Sequence, residues 1–307
     1  MLQHYQWHGL DPSTRGTSVA MGNFDGIHLG HQAVIDLARG PAPLGIVTFE
    51  PHPRQYFAPV TPPFRLMNAA ARASRLACLG VEQLFQLPFD ATLAALTPEG
   101  FVQQVLADGL GVGHVVVGAD FCFGKGRRGT VAELASLCAE RGIHTTISPL
   151  ITHDTAEISS TLIRQALTEG RPRDAAAMLG HWHRVEGEVI HGEKRGRELG
   201  YPTANMALDG LHLPRFGVYA VLVDILTGPQ RGSYHGAASL GVRPMFGENR
   251  PNLETFLFDF NGDLYGQHLS VALVDFLRPE LKFDGLPGLI SQMAKDCDSA
   301  RNILCAL

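Results

Sequence analysis

The sequence predicts two domains: an α/β domain built on a parallel sheet, then a small antiparallel β-barrel with a C-terminal helix. Three observations carry this. The chain has 307 residues, and at roughly 100–200 residues per domain that length suggests two cores. The first half alternates β-branched runs with helical runs. The second half gives short strands and glycine turns, with few helical runs until its end.

The strand candidates of the first half are TSVAM (17–21), LGIVTF (44–49), VEQLFQL (81–87), HVVVGA (114–119) and HTTISPL (144–150). Helix candidates lie between them near 31–38, 67–78, 98–108 and 131–140. Strand and helix alternating at this spacing argue for a parallel sheet covered by helices. Ligands of such sheets bind beyond the carboxyl ends of the strands. The turns MGNFDGIHLGH (21–31) and GADFCFGKGRRG (118–129) both follow strands, so both are expected at that edge. After residue 180 the strand candidates are RVEGEVI, GVYAVLVDIL, YHGAASL, NLETFLFDF and LSVALVDFL, before the helical LPGLISQMAKDCDSARNIL (286–304). Many short strands with frequent turns suggest a barrel. The expected domains are 1–182 and 183–307.

Apolar residues make up 45% of the chain and charged residues 18%, enough apolar material for proper cores. The net charge of −5 argues against a general nucleic-acid binder. Cys78, Cys122, Cys138, Cys297 and Cys305 form no CxxC pair and are odd in number, which fits reduced thiols in a cytoplasmic protein. No signal peptide is visible, and no run approaches the ~18 apolar residues of a membrane span. Oligomeric state is not legible, and a homo-oligomer is compatible with everything above.

His28 and His31 sit three apart at the mouth of a predicted helix. Zinc would need three or four ligands, and HLGH lacks the acid of HExxH. Packing is the plain alternative. A phosphate role gains from context. The loop follows a strand, contains Gly22, Gly26 and Gly30, and opens a helix, whose free N–H groups and positive end attract anions. Histidine adds N–H donors and near neutral pH can carry charge. A second anion candidate is ISSTLIR (158–164). Ser159, Ser160 and Thr161 read as N-cap residues, with Arg164 one turn on. An ordinary capped helix with a surface arginine explains the same residues. GKGRRG (124–129) fits GxGxxG but comes late and is crowded by charge, so a basic phosphate-facing loop describes it better than a dinucleotide fingerprint.

In the second half, RGRELGYPTANM (195–206) places Gly200 and Pro202 in a fixed turn, with the oxygens of Thr203 and Asn205 two apart. Neutral oxygens on a rigid loop suit a magnesium ion that bridges phosphates. A self-capping turn is the alternative. In NLETFLFDFNGDLYG (252–266), Glu254 shares strand parity with Phe256, Phe258 and Phe260. An acid on an apolar face is paired, functional or reaching for solvent.

Taken together, GNFDGIHLGH, TFEPHPR (48–54), GADFCFGKGRRG and ISSTLIR resemble the adenylyltransferase module of bacterial bifunctional riboflavin kinase/FMN adenylyltransferases (FAD synthetases). HLGH is similar to the HxGH signature of the wider nucleotidyltransferase superfamily. GRELGYPTAN, GVYAV, SLGVRPMFG, ETFLFDFNGDLYG and LISQMAKDCDSAR resemble the riboflavin kinase module of the same family, and PTAN is its most specific signature. The resemblance spans 15–305 and implies a Rossmann-like nucleotidyltransferase fold followed by a kinase barrel. It implies ATP, riboflavin, FMN and FAD as substrates and products, with magnesium in both steps. By carry-over, His28 and His31 attend the α-phosphate, and Ser160, Thr161 and Arg164 the leaving pyrophosphate. Gly22, Phe24 and Gly30 belong to the ATP-binding loop, in which Asn23 and Asp25 shape the turn or meet ATP and its magnesium. Asp120, Phe121, Lys125 and Arg127 line the flavin side. Thr203 and Asn205 hold magnesium–ATP, and Glu254 is the general base on the riboflavin 5′-hydroxyl. One departure is Met245, where the family has threonine in its RPTF stretch. The rival expectations are a nucleotidyltransferase with another acceptor and a non-catalytic flavin-binding or storage protein.

Overall fold

A computed structural model describes residues 1–149, 152–153, 156–191, 200–245 and 248–307. Two compact units emerge, Met1–Pro62 with Arg72–Ile158, and Pro63–Ala71 with Ser159–Leu307.

The first unit is built on six parallel strands: β1 (Leu2–His4), β2 (Ser18–Met21), β3 (Leu44–Glu50), β4 (Gln83–Pro88), β5 (His114–Gly118) and β6 (His144–Ser148). Their order is β1-β4-β3-β2-β5-β6. The runs read from sequence form strands because both faces are covered. Val19, Val47, Phe85, Val115 and Val117 all join one core with the helical segment Phe101–Leu110. From central β2 the chain moves to β3 and β4 on one side and later to β5 and β6 on the other. The order therefore reverses between β2 and β5, which is where a crevice forms at the carboxyl ends of such a sheet. Met21 and Gly118 end those two strands, and the two glycine-rich turns follow them. A short antiparallel pair, β7 (Thr152–His153) and β8 (Ala156–Glu157), follows β6.

The second unit is an antiparallel barrel: β9 (Arg184–Glu188), β10 (Ala204–Ala207), β11 (Gly217–Ile225), β12 (Gly232–Met245), β13 (Glu248–Leu257) and β14 (His268–Arg278), in the order β10-β13-β12-β11-β14-β9. The two end strands meet through a bridge in which the Ile190 N–H donates to the Asn205 carbonyl at 2.9 Å. Alternate residues fill the interior, among them Met206, Val221, Val223, Leu240, Leu253 and Val271. The opposite parity of β11, β12 and β14 supplies Ala220, Ala237 and Val274, joined by Phe258 just after β13, and the helix Leu286–Leu304 covers them with Ala300 and Leu304. The period-2 pattern thus has two destinations, barrel interior and helix-covered exterior.

The helices Ser160–Thr168 and Pro172–Leu179 pack on Leu66 in this second unit, through Ile163, Ala166, Leu167, Ala175 and Leu179. Three local readings need correction. Only Ser159 caps the first of these helices, its hydroxyl accepting from the Leu162 N–H; Ser160 and Thr161 are already helical. The strand expected over 144–150 ends at Ser148, and Leu150 lies outside the described residues. Asn205 stands in a strand rather than a loop, because Ala204–Ala207 pairs with β13 along its whole length. Among the described residues no helix is long and apolar enough to cross a membrane, and all five cysteines are free.

Candidate active sites

The turn after β2 is held in an unusual backbone. Phe24, Gly26 and Ile27 all have positive φ, at 52°, 88° and 45°. Two of these are bulky residues for which that region costs on the order of 1–3 kcal/mol each. Burial holds them there: Phe24 is 1% exposed and Ile27 fully buried. Hydrogen bonds pin the strand side. The Gly22 N–H donates to the Val47 carbonyl at 3.1 Å, and the Thr48 hydroxyl donates to the Asn23 carbonyl at 3.2 Å.

The loop delivers His28 as the N-cap of the helix Leu29–Leu37, with Nδ1 accepting from the His31 N–H at 3.3 Å. With Nδ1 accepting, the proton of the neutral ring sits on Nε2. The His31 ring stacks on it at 3.7 Å between centroids and 16° between planes, and Phe24 meets His31 edge-on at 5.3 Å. Burial first, and the neighbouring His28 second, hold the His31 pKa well below its ordinary value. His31 is therefore neutral at pH 7, a correction to the expectation that it adds charge. Its Nδ1 is buried without a partner among the described residues. Gly30 is glycine for a steric reason: a Cβ there would stand 3.1 Å from both Cε1 and Nδ1 of His28. Asp25 is buried at the base of the turn.

Behind the loop stands Arg72, fully buried on the helix Ala69–Cys78. Its guanidinium donates to Glu50 and Gln86, both at 2.9 Å, and to the Asn23 carbonyl at 3.4 Å. Sequence reasoning missed it, because an arginine in an amphipathic helix reads as a surface residue. A carboxylate and an amide near the ends of two neighbouring strands, Glu50 and Gln86, were the available signal.

The turn after β5 is tied by Phe123 and Gly129, which exchange backbone hydrogen bonds at 3.2 and 2.9 Å. Phe121 stacks on Phe123, and Asp120, Lys125 and Arg127 are exposed. At the end of β3, Tyr56, Phe57 and Phe89 form an aromatic cluster with centroids 5.1–5.7 Å apart. Phe57 remains 65% exposed, an apolar face that the sequence reading did not single out.

In the second unit, Arg164 donates to the Phe64 carbonyl at 3.2 Å and to the Thr161 hydroxyl at 3.4 Å, so Thr161 and Arg164 share one helix face. Ser160 lies beside them at the first helical position.

On the barrel, Asn205 stands directly opposite Glu254, and Ser239 faces Glu254 from the other neighbouring strand. Asn205 donates from Nδ2 to the Thr203 carbonyl at 3.3 Å. Asn252, 2% exposed, donates to Asn205 Oδ1 at 3.3 Å and to Glu254 Oε1 at 3.4 Å. This network lies on the exterior parity of β13, and Tyr201 packs edge-on against Phe256 at 5.2 Å beside it. Gly200 has φ 84°, which sets the turn into Pro202 and Thr203. Thr203, Asn205 and Glu254 present oxygen donors of the hard type that magnesium prefers. Asn252 was missed because an asparagine beside a proline reads as a turn. Residues 195–199, and the side chains around Met245, lie outside what the structure describes.

Comparison with known proteins matches residues 10–162 to the FAD synthetase family and 179–304 to the riboflavin kinase family. Over 300 residues the chain is 39% identical to the bifunctional riboflavin kinase/FMN adenylyltransferase of Pseudomonas fluorescens, covering 96% of this chain and 95% of that one. Its identity to the protein of the same name from Escherichia coli K12 is 36% over 291 residues, covering 93% and 92%. A solved structure from Streptococcus pneumoniae, described as a macrolide-efflux protein, superposes with a TM-score of 0.82 at 32% identity over 98% of both chains.

Proposed function

The chain belongs to the bifunctional riboflavin kinase/FMN adenylyltransferase family and makes FMN from riboflavin and FAD from FMN, both with ATP, and we propose that it does so at two separate sites. The kinase site is Glu254 with Thr203 and Asn205, and the adenylyltransferase site is built on His28 and His31. The functional segments are 1–182 for adenylyl transfer and 183–307 for the kinase.

The observation that carries this reading is the facing pair Asn205 and Glu254 on adjacent strands. Phosphorylation of riboflavin needs the 5′-hydroxyl to lose its proton as its oxygen attacks the γ-phosphorus of ATP and ADP leaves. Glu254 accepts that proton. Thr203 and Asn205 hold the metal–nucleotide, where magnesium supplies neutralisation of phosphate charge.

Adenylyl transfer makes a different demand. The FMN phosphate has a second pKa near about 6, so its attacking oxygen is already largely ionised at neutral pH. It attacks the α-phosphorus and pyrophosphate leaves, with no proton to remove. The loop's task is alignment and donation of hydrogen bonds to phosphorus oxygens. His28 and His31 provide ring N–H donors, the helix start adds backbone N–H groups, and Gly22, Asn23, Phe24, Asp25 and Gly30 fix the turn. Ser160, Thr161 and Arg164 are assigned to the pyrophosphate. Asp120, Phe121, Lys125 and Arg127 are assigned to the flavin side. The free thiols and the ATP requirement fit a cytoplasmic enzyme.

Incubating the protein with riboflavin, ATP and magnesium and separating the flavins over time tests the reading. FMN should appear first and then give way to FAD. Riboflavin and added FMN both left unchanged would instead make this a flavin-binding protein.

A further inference from the structure

Asn252 touches both halves of the kinase pair, Asn205 and Glu254. Its amide orientation is fixed by chemistry. Asn205 spends its Nδ2 on the Thr203 carbonyl, so its Oδ1 faces Asn252 as an acceptor. Glu254 Oε1 is also an acceptor. Only the Asn252 nitrogen can serve two acceptors at once. Its own Oδ1 is then turned away, buried, and without a partner among the described residues. Its strand neighbours in register are Ala207 and Gly241, which bring no polar side chain to it.

An unsatisfied buried acceptor costs on the order of 1–3 kcal/mol, and such groups in native folds call for an explanation. Packing does not supply one, since an apolar side chain of similar size would avoid the cost. The nitrogen does. We propose that Asn252 is a positioning residue for the kinase reaction: its Nδ2 ties the proton acceptor Glu254 to the metal–nucleotide ligand Asn205 and so fixes the hydroxyl-activating oxygen relative to the γ-phosphate. Asn252 lies two residues from Glu254 on the same face of β13 and diagonal to Asn205 on β10, and its amide spans that diagonal. This proposal rests on the reading of Glu254 and Asn205 as kinase residues.

A double-mutant cycle tests it, because coupling through Glu254 makes the two substitutions non-additive. The variants are Asn252→Ala, Glu254→Ala and both together, assayed for riboflavin kinase kcat and KM. Riboflavin binding, followed by flavin fluorescence, reports whether the barrel is folded. Asn252→Ala alone should lower kcat on the order of 10- to 100-fold, with the KM for riboflavin within about threefold of wild type. In the Glu254→Ala background the same substitution should lower the residual kcat less than about threefold, since the group it positions is gone. Equal losses in both backgrounds, or a loss confined to KM, would overturn the proposal and leave a packing role. Near-wild-type kinase activity in Glu254→Ala alone would remove the underlying site reading and the proposal with it. Should Asn252→Ala lose riboflavin binding, Asn252→Ser carries the same cycle with a smaller cavity and a retained hydroxyl, and the same outcomes decide.

Discussion

In the reading proposed above, the histidine loop of the parallel-sheet unit and the β10/β13 face of the barrel both handle ATP phosphates, yet they are built from opposite materials. The loop holds two stacked imidazoles, one of them kept neutral by burial, on a backbone forced into positive φ. The barrel face is regular sheet carrying a carboxylate and two amides on one face. The difference follows the nucleophile. A phosphate monoester arrives ionised, so its site needs donors and alignment. A sugar-alcohol hydroxyl arrives protonated, so its site needs a base held at fixed range. A strained loop suits the first because it aims N–H groups inward, and a strand suits the second because register fixes side-chain spacing.

The sharpest way to break this comparison is to remove one group from each side. His28→Ala should lower FAD formation at least ~100-fold, the scale of losing an aligned donor to the reacting phosphate, while FMN formation stays near normal. Glu254→Ala should lower FMN formation by about 10²–10⁴-fold and leave conversion of supplied FMN intact. Separate assays with riboflavin and with FMN distinguish the two.

The support behind the loop gives the next effect. Arg72→Met removes the hydrogen bonds to Glu50, Gln86 and the Asn23 carbonyl. It should cost about 3 kcal/mol, since one partner of a buried charged network is lost, and FAD formation should suffer more than FMN formation. Urea unfolding read alongside both activities checks the magnitude and the asymmetry.

Acid should strike through the second unit by way of His183, which is 4% exposed and whose pKa burial lowers to about 4. Nε2 meets the Leu66 carbonyl at 3.0 Å, and Nδ1 is buried without a partner among the described residues. The folded state therefore prefers the neutral ring. Its stability is full above the unfolded pKa near 6.5 and falls as pH drops from there toward about 4. Between about pH 7.5 and about pH 5 the loss should be roughly 2 kcal/mol, and His183→Gln should flatten that slope. Urea midpoints at the two pH values measure it.

The smallest effect sharpens the loop side alone. Gly30→Ala adds a Cβ 3.1 Å from the His28 ring. Alanine favours the helix by up to about 1 kcal/mol over glycine, so the melting temperature should hold or rise. FAD formation should nonetheless fall roughly tenfold as His28 is displaced, about 1.4 kcal/mol of barrier.

Most of the fold was legible because strand runs such as LGIVTF and GVYAVLVDIL bury long apolar stretches or alternate cleanly. The elements that escaped are those with little apolar signal of their own. Leu2–His4 is a three-residue edge strand with two of its residues exposed. Ala204–Ala207 has no β-branched residue and follows Gly-Tyr-Pro, so it reads as a turn until β13 pairs with it. In the sites, His28, Gly30 and Glu254 announce themselves by motif and parity. Arg72 and Asn252 do not, because their importance lies in partners distant in sequence: Asn23 for one, Asn205 for the other. Ser159 rather than Ser160 caps its helix, a one-residue difference that composition cannot resolve when three hydroxyl residues run together.

The central claim is that the two activities live at separate sites, each of which works without the other. The most direct test mixes His28→Ala and Glu254→Ala proteins with riboflavin, ATP and magnesium, and separates the flavins over time. The account predicts that the first protein alone stops at FMN, the second alone leaves riboflavin unchanged, and the mixture makes FAD. A folded single variant that loses both activities, or a mixture that makes no FAD although the His28→Ala protein has released FMN, would contradict it.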